Sequence, residues 1–201
     1  FKRNIVKNIG INFTPIMIKK FGQGILDKYA SIVIELINEG FNIKFISHVY
    51  SPQGNINIDD QKAINLLIEK LPKAYAQKIS KMEDVCTLET TQEALSNIDL
   101  LIGGRMHCCL NALTSGKPTI FLGYSSKALT MVETLGRDTP FKNVCNAFKS
   151  VNADKIDAVF IKTMINSHNE WANASMNPEV INTKAFLSML LESDININQL
   201  L

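Results

Sequence analysis

The 201-residue chain contains no apolar run approaching the ~18 residues of a membrane span, and no charged leader followed by a short apolar stretch opens it. Neither a transmembrane helix nor a signal peptide is expected, so the expected compartment is the cytoplasm, compatible with peripheral contact at the inner face of a membrane. An excess of one charge is also lacking. The 21 Lys and Arg residues against 19 Asp and Glu leave a net charge of +2, which gives no electrostatic case for nucleic acid. Cysteine is sparse: Cys86, Cys108, Cys109 and Cys145 have neither zinc-ligand spacing nor the density of a disulfide scaffold. They read as reduced packing residues, and neither a metal nor a cofactor is expected. The tripeptides Asn12-Phe13-Thr14 and Asn173-Ala174-Ser175 are then chance sequons. An initiator Met is missing and a strand pattern begins within a few residues of Phe1, as in the C-terminal piece of a longer protein.

What is present is an α/β alternation. Hydrophobic residues make up 46% and charged residues 20%, enough to bury a core in one generous domain. Ile5 to Phe13 is short and apolar and leads into a loop at Asn12, Thr14 and Pro15, kept irregular by Gly22 and Gly24. From Leu26 a 3.6-residue stripe runs through Tyr29, Val33, Leu36 and Ile37 to a stop at Gly40. A strand over Asn42 to Val49, a helix capped by Asp59 or Asp60, a weak strand within 74–80 and a helix capped by Thr90 or Thr91 follow. Then come the buried strand Asp99 to Gly103, a helix from His107 to Ser115, the strand Pro118 to Leu122 and a helix over 126–135. Five such βα units predict a Rossmann-like, doubly wound parallel sheet over residues 1–138. Residues 139–201 read as a helical extension on the same domain, with helices over 155–167 and 181–193.

Ligands of open parallel sheets bind beyond the carboxyl ends of the strands. That directs attention to Asn12 and Thr14, to His48, to the turn Gly103 to His107, and to Gly123 to Lys127. Gly103 and Gly104 allow close backbone approach, and the helix behind them offers unpaired N–H groups and a positive dipole end. Arg105 adds a planar cation suited to phosphate or carboxylate, and His107 adds a group that exchanges protons near neutral pH. Each has a plain alternative: a solvated arginine, or a packing histidine at 107 or 48. Lys127 stands where a cation could reach the same ligand, Tyr124 could pack as easily as bind, and Asp59 and Asp60 read as a helix cap rather than as catalytic carboxylates. Lys19 and Lys20 lie in the loop after the first strand.

The stretch Gly104, Arg105, His107, Leu110, Ala112, then Gly116 and Pro118, then Tyr124 and Lys127, resembles the C-terminal signature of the polysaccharide pyruvyl transferases. The resemblance extends more weakly to the Gly-Ile-Asn-Phe strand and to His48 followed by Asp59 and Asp60, over about residues 8–136. It implies one half of a GT-B-like fold, the donor-binding domain, with a further domain upstream. It also implies transfer of the pyruvyl group of phosphoenolpyruvate onto a sugar of a polysaccharide or its precursor as a ketal. Carried over by position, Gly104, Arg105, the Met106 backbone and His107 would hold the donor, and His107 would act as general acid or base. Asn12, His48, Tyr124 and Lys127 would complete the substrate site, and Arg105 would be the residue whose loss costs most. A homo-oligomer is compatible with the pattern. Two other readings stay open: a GT-B glycosyltransferase or nucleotide-sugar epimerase, and a non-catalytic binding module.

Overall fold

The computed structural model describes residues 6–53, 55, 57–82, 87–115, 117–124 and 148–171. Six parallel strands form one sheet: β1 (Asn8–Asn12), β2 (Asn42–Phe45), β3 (Ile79–Lys81), β4 (Leu100–Gly103), β5 (Thr119–Gly123) and β6 (Phe148–Asn152). Their order is β3-β2-β1-β4-β5-β6, the doubly wound Rossmann-like arrangement expected from the alternation. This order reverses direction between β1 and β4, so a crevice opens beyond their carboxyl ends. Asn12 pairs in register with Gly103, which sets the last residues of these two strands side by side.

The helices are α1 (Pro15–Phe21), α2 (Gly24–Asn38), α3 (Asp60–Ile68), α4 (Leu88–Ser96), α5 (Met106–Thr114) and α6 (Ala158–Trp171), with a 3-10 turn at Lys73–Lys78. α2 packs against α1, α3 and α6, and α5 packs on β4 and β5. The α2 stripe of Leu26, Tyr29, Val33 and Leu36 joins Ile9, Ile11, Phe13, Ile43 and Phe45 in the main core. Burying such side chains contributes about 1.5–3 kcal/mol each relative to exposure. Tyr29 stacks at 5.1 Å on Phe13 and donates its hydroxyl hydrogen to the Ala153 carbonyl at 3.0 Å, tying α2 to the end of β6. Burial pushes the Tyr29 phenol well above its ordinary pKa, so it remains a donor.

Several expectations need correction. The loop after β1 is a helix, because Pro15 occupies its first turn, where a missing N–H costs nothing, and Gly22 ends it at φ 79°. Lys19 and Lys20 therefore lie in the last turn of α1, where cations suit the dipole. The weak pattern at 74–80 is mostly the 3-10 turn, with β3 only at its end. The cap of α4 is Thr87, in a reciprocal capping box with Thr90, rather than Thr90 or Thr91. Residues 148–152, expected within a helical extension, form β6 beside β5. The helices expected over 126–135 and 181–193 lie outside the described residues, as do Cys86 and Cys145.

Candidate functional site

Asn12 is the hub from which the site is built. It is fully buried at the end of β1, and its side chain makes three hydrogen bonds. Oδ1 accepts from Arg105 N–H at 2.8 Å, and Nδ2 donates to the Ile46 carbonyl at 2.9 Å and to Asp60 Oδ2 at 3.2 Å. One amide thereby joins the ends of β1 and β2, the start of α3 and the turn into α5. The Asn12 backbone carbonyl also accepts from Gly104 N–H at 2.9 Å. Asn12 therefore positions the turn, its amide engaged by groups of the protein itself.

Gly103 and Gly104 are required by space. A Cβ on Gly103 would lie 2.4 Å from Cys109 Sγ, and one on Gly104 would lie 2.3 Å from Met17 Cε and 3.0 Å from Thr14 Cγ2. Thr14 itself is buried, and its Oγ1 has no hydrogen-bond partner among the described residues. With its N–H given to the Asn12 carbonyl, Gly104 allows close packing of α1 against the turn.

Arg105 sits just before α5 in an extended conformation, so its carbonyl accepts the first helical bond, from Cys109 N–H at 3.1 Å. Met106 and His107 thus open the helix with N–H groups outside the helical ladder, and no side chain caps them. Free amides at the positive end of a helix dipole are suited to an anion. The Arg105 guanidinium has partners within the protein. Nε and Nη2 reach Asp60 Oδ1 at 3.0 and 2.9 Å, and Nη2 also donates to the Ile58 carbonyl at 2.8 Å. The Asp60 side chain is 0% exposed and that of Arg105 16%. Asp60 Oδ2 accepts from the His48 and Val49 N–H groups, both at 3.1 Å. Burial pushes the Asp60 carboxyl above its ordinary range, opposed by Arg105 and by the His48 and Asn12 donors. Asp59 is the cap of α3, accepting from Gln61 N–H at 2.9 Å, whereas Asp60 is the buried counter-ion that the cap reading missed.

The remaining residues approach the turn from neighbouring strands. His107, in the first turn of α5, is exposed. His48 follows β2, and its Nε2 lies 3.3 Å from Asn111 Nδ2, a partner with no sequence signal beyond its place one turn after His107. Burial first, then the proximity of His107 and Arg105, lowers the His48 pKa from 6.5 to about 4. His48 is therefore uncharged at neutral pH. Tyr124, at the end of β5, has its phenol pKa raised by burial, against the pull of Arg105 and with a further push from Asp60. Its carbonyl accepts from Lys20 Nζ, which brings the end of α1 alongside β5. Arg105 thus bears on the electrostatics of both His48 and Tyr124, with Met106 and His107 opening the adjacent helix. Lys127 lies outside the described residues. Among the described residues there is no group of three His, Cys, Asp or Glu side chains able to hold a metal ion, and no helix is long and apolar enough to cross a membrane.

Two solved structures share this architecture. The chain superimposes on E. coli ADP-heptose lps heptosyltransferase II with a TM-score of 0.57 at 14% identity, covering 85% of this chain and 48% of that one. It superimposes on the glycosyltransferase SnogD from Streptomyces nogalater with a TM-score of 0.50 at 16% identity, covering 92% and 43%. Both are GT-B glycosyltransferases, and the chain spans about half the length of each. At these identities they show the fold alone. No curated protein sequence matches the chain significantly. A family model, polysaccharide pyruvyl transferase, matches residues 3–126, which include β1 to β5 and every described residue of the site. The chain belongs to the polysaccharide pyruvyl transferase family.

Proposed function

We propose that this chain supplies the donor site of a pyruvyl transferase that moves the pyruvyl group of phosphoenolpyruvate onto two hydroxyls of a sugar, in a polysaccharide or its precursor, as a ketal. The observation that carries this reading is an anion-binding helix start, at Met106 and His107, with an exposed imidazole in its first turn. Phosphoenolpyruvate presents a phosphate and a carboxylate, so oriented N–H groups and a helix dipole suit it. Arg105 contributes less as a free clamp than as the cation that neutralises Asp60 and sets the turn.

The chemistry requires two proton movements that an imidazole can serve. The first sugar hydroxyl adds to C2 of the enol phosphate and gives up its proton, while C3 gains one and becomes a methyl group. The second hydroxyl then displaces phosphate from C2, its proton leaving with the departing group or a base. In this reading His107, exposed in the first turn of α5, gives and takes these protons. No metal or cofactor enters these steps.

A GT-B glycosyltransferase acting on a nucleotide-sugar is the second reading, favoured by the fold of the two structural relatives. It needs a strand-end carboxylate to receive ribose hydroxyls. Asp60 is the acidic side chain at the turn, and it is buried and bonded to Arg105. Thermal unfolding with phosphoenolpyruvate, inorganic phosphate or UDP-glucose separates the readings. Phosphoenolpyruvate should raise Tm more than phosphate, and UDP-glucose should not; a rise with UDP-glucose alone would overturn the proposal.

A further inference from the structure

Asn111 follows His107 by one turn of α5, so the two side chains share a face of the helix. The Asn111 amide nitrogen faces His48 Nε2 at 3.3 Å. An amide NH2 only donates, so the ring nitrogen opposite it must offer its lone pair, and a neutral imidazole then carries its proton on Nδ1. The main chain of His48 is fixed independently, its N–H bonded to Asp60 Oδ2 and that of Val49 beside it. Backbone and ring are thus held by different elements, α3 and α5.

We propose that Asn111 is a positioning residue of this site: its Nδ2 holds His48 as the neutral Nδ1–H imidazole, leaving His107 as the histidine that carries protons. The inference rests on the reading of His107 as the proton-transfer group. A charged His48 would face His107 and Asn111 on α5, Arg105 before it, and Asp60 on α3, whose charge Arg105 already balances. Protonating Nε2 would also set a ring N–H against the amide N–H of Asn111. Burial and the neighbouring His107 and Arg105 act in the same direction and bring His48 to about 4. Two histidines at one site are thereby made unequal: His48 stays an uncharged hydrogen-bonding group, whereas His107 is exposed in the first turn of α5.

The test is long-range proton-nitrogen NMR of the histidine rings in the full chain, wild type and with Asn111→Ala and Asn111→Asp, titrated from pH 8 down to about pH 4. Wild-type His48 should show the Nδ1–H tautomer and no titration above about pH 5. Asn111→Asp should move the proton to Nε2 and raise the midpoint by at least about one unit, because a carboxylate accepts from Nε2–H and favours the cation. Asn111→Ala should abolish the fixed tautomer. An Nε2–H tautomer in the wild type, a wild-type midpoint near the ordinary 6.5, or spectra unchanged by both substitutions would overturn the inference. Phosphoenolpyruvate protection measured on the same samples keeps the two ideas apart: failure of protection with the tautomer as stated counts against the donor reading alone.

Discussion

Arg105 directs both Nε and Nη2 at a single oxygen of Asp60, Oδ1, at 3.0 and 2.9 Å, leaving Oδ2 to two backbone N–H groups and Asn12. The pair crosses from α3 to the turn before α5, so the residue that introduces the anion-binding helix is fastened to the rest of the sheet edge. Its energetic meaning follows from burial. An ion pair of this kind adds little net stability over an apolar replacement, but removing one partner leaves the other charge uncompensated.

Arg105→Ala should therefore destabilise the chain by about 3–5 kcal/mol in chemical denaturation. Arg105→Lys should lose less, since one ammonium keeps the charge but cannot serve Asp60 and the Ile58 carbonyl with the same fork. Loss of phosphoenolpyruvate protection in Arg105→Ala would thus combine a weakened fold with a weakened site, and the lysine variant is the cleaner probe. Equal stability of wild type and Arg105→Ala would contradict the buried pairing.

His107 gives the opposite pattern. It is exposed at the start of α5, so His107→Gln should stay within about 0.5 kcal/mol of wild-type stability. Transfer from phosphoenolpyruvate by the full-length protein should fall by about 100-fold or more, the scale of a lost general acid or base. Steady-state rates alongside a denaturation curve check both halves of the expectation.

His48 makes stability depend on pH in a defined window. Its folded pKa, about 4, lies below the ordinary 6.5, so between these values the unfolded chain takes up a proton that the folded chain refuses. The contribution is full above about 6.5 and is lost as pH falls toward 4, a slope on the order of 2 kcal/mol across the window after allowing for the partial exposure of the ring. Denaturant midpoints at pH 7 and 4.5 should differ by less in His48→Gln than in wild type.

The two glycines before Arg105 should differ in cost. Gly103→Ala drives a methyl group against Cys109 Sγ, which is fully buried and bonded to the Gly103 carbonyl at 3.4 Å, and should lose about 1–3 kcal/mol. Gly104→Ala meets the buried Met17 terminal methyl at 2.3 Å, Thr14 Cγ2 at 3.0 Å and the Asn12 backbone carbonyl at 3.2 Å, so its cost should be larger, and Met17→Ala should relieve only part of it. Melting temperatures of the single and double variants test this directly.

The sequence carried the sheet and the place of the site because both depend on local patterns. Apolar runs before Asn12 and before Gly104 mark strand ends, where ligands of parallel sheets bind, and Arg105 and His107 follow the second of them in sequence. What the pattern could not carry were relationships between distant residues. Asp59 and Asp60 both look like helix caps locally, and only the fold brings Asp60 to Arg105, 45 positions away. Asn12 looked available at a strand end until three partners enclosed its amide. Pro15 read as a loop residue although a helix start accepts it, and β6 has too few apolar residues in Phe148–Asn152 to stand out without β5 beside it.

The most direct test of the donor site is to follow backbone amide resonances while phosphoenolpyruvate is added to the full chain. The expected result is saturable shifts largest at the Met106 and His107 N–H groups, weaker with inorganic phosphate and absent with UDP-glucose. Shifts that bypass the start of α5, or that appear only with UDP-glucose, would contradict it.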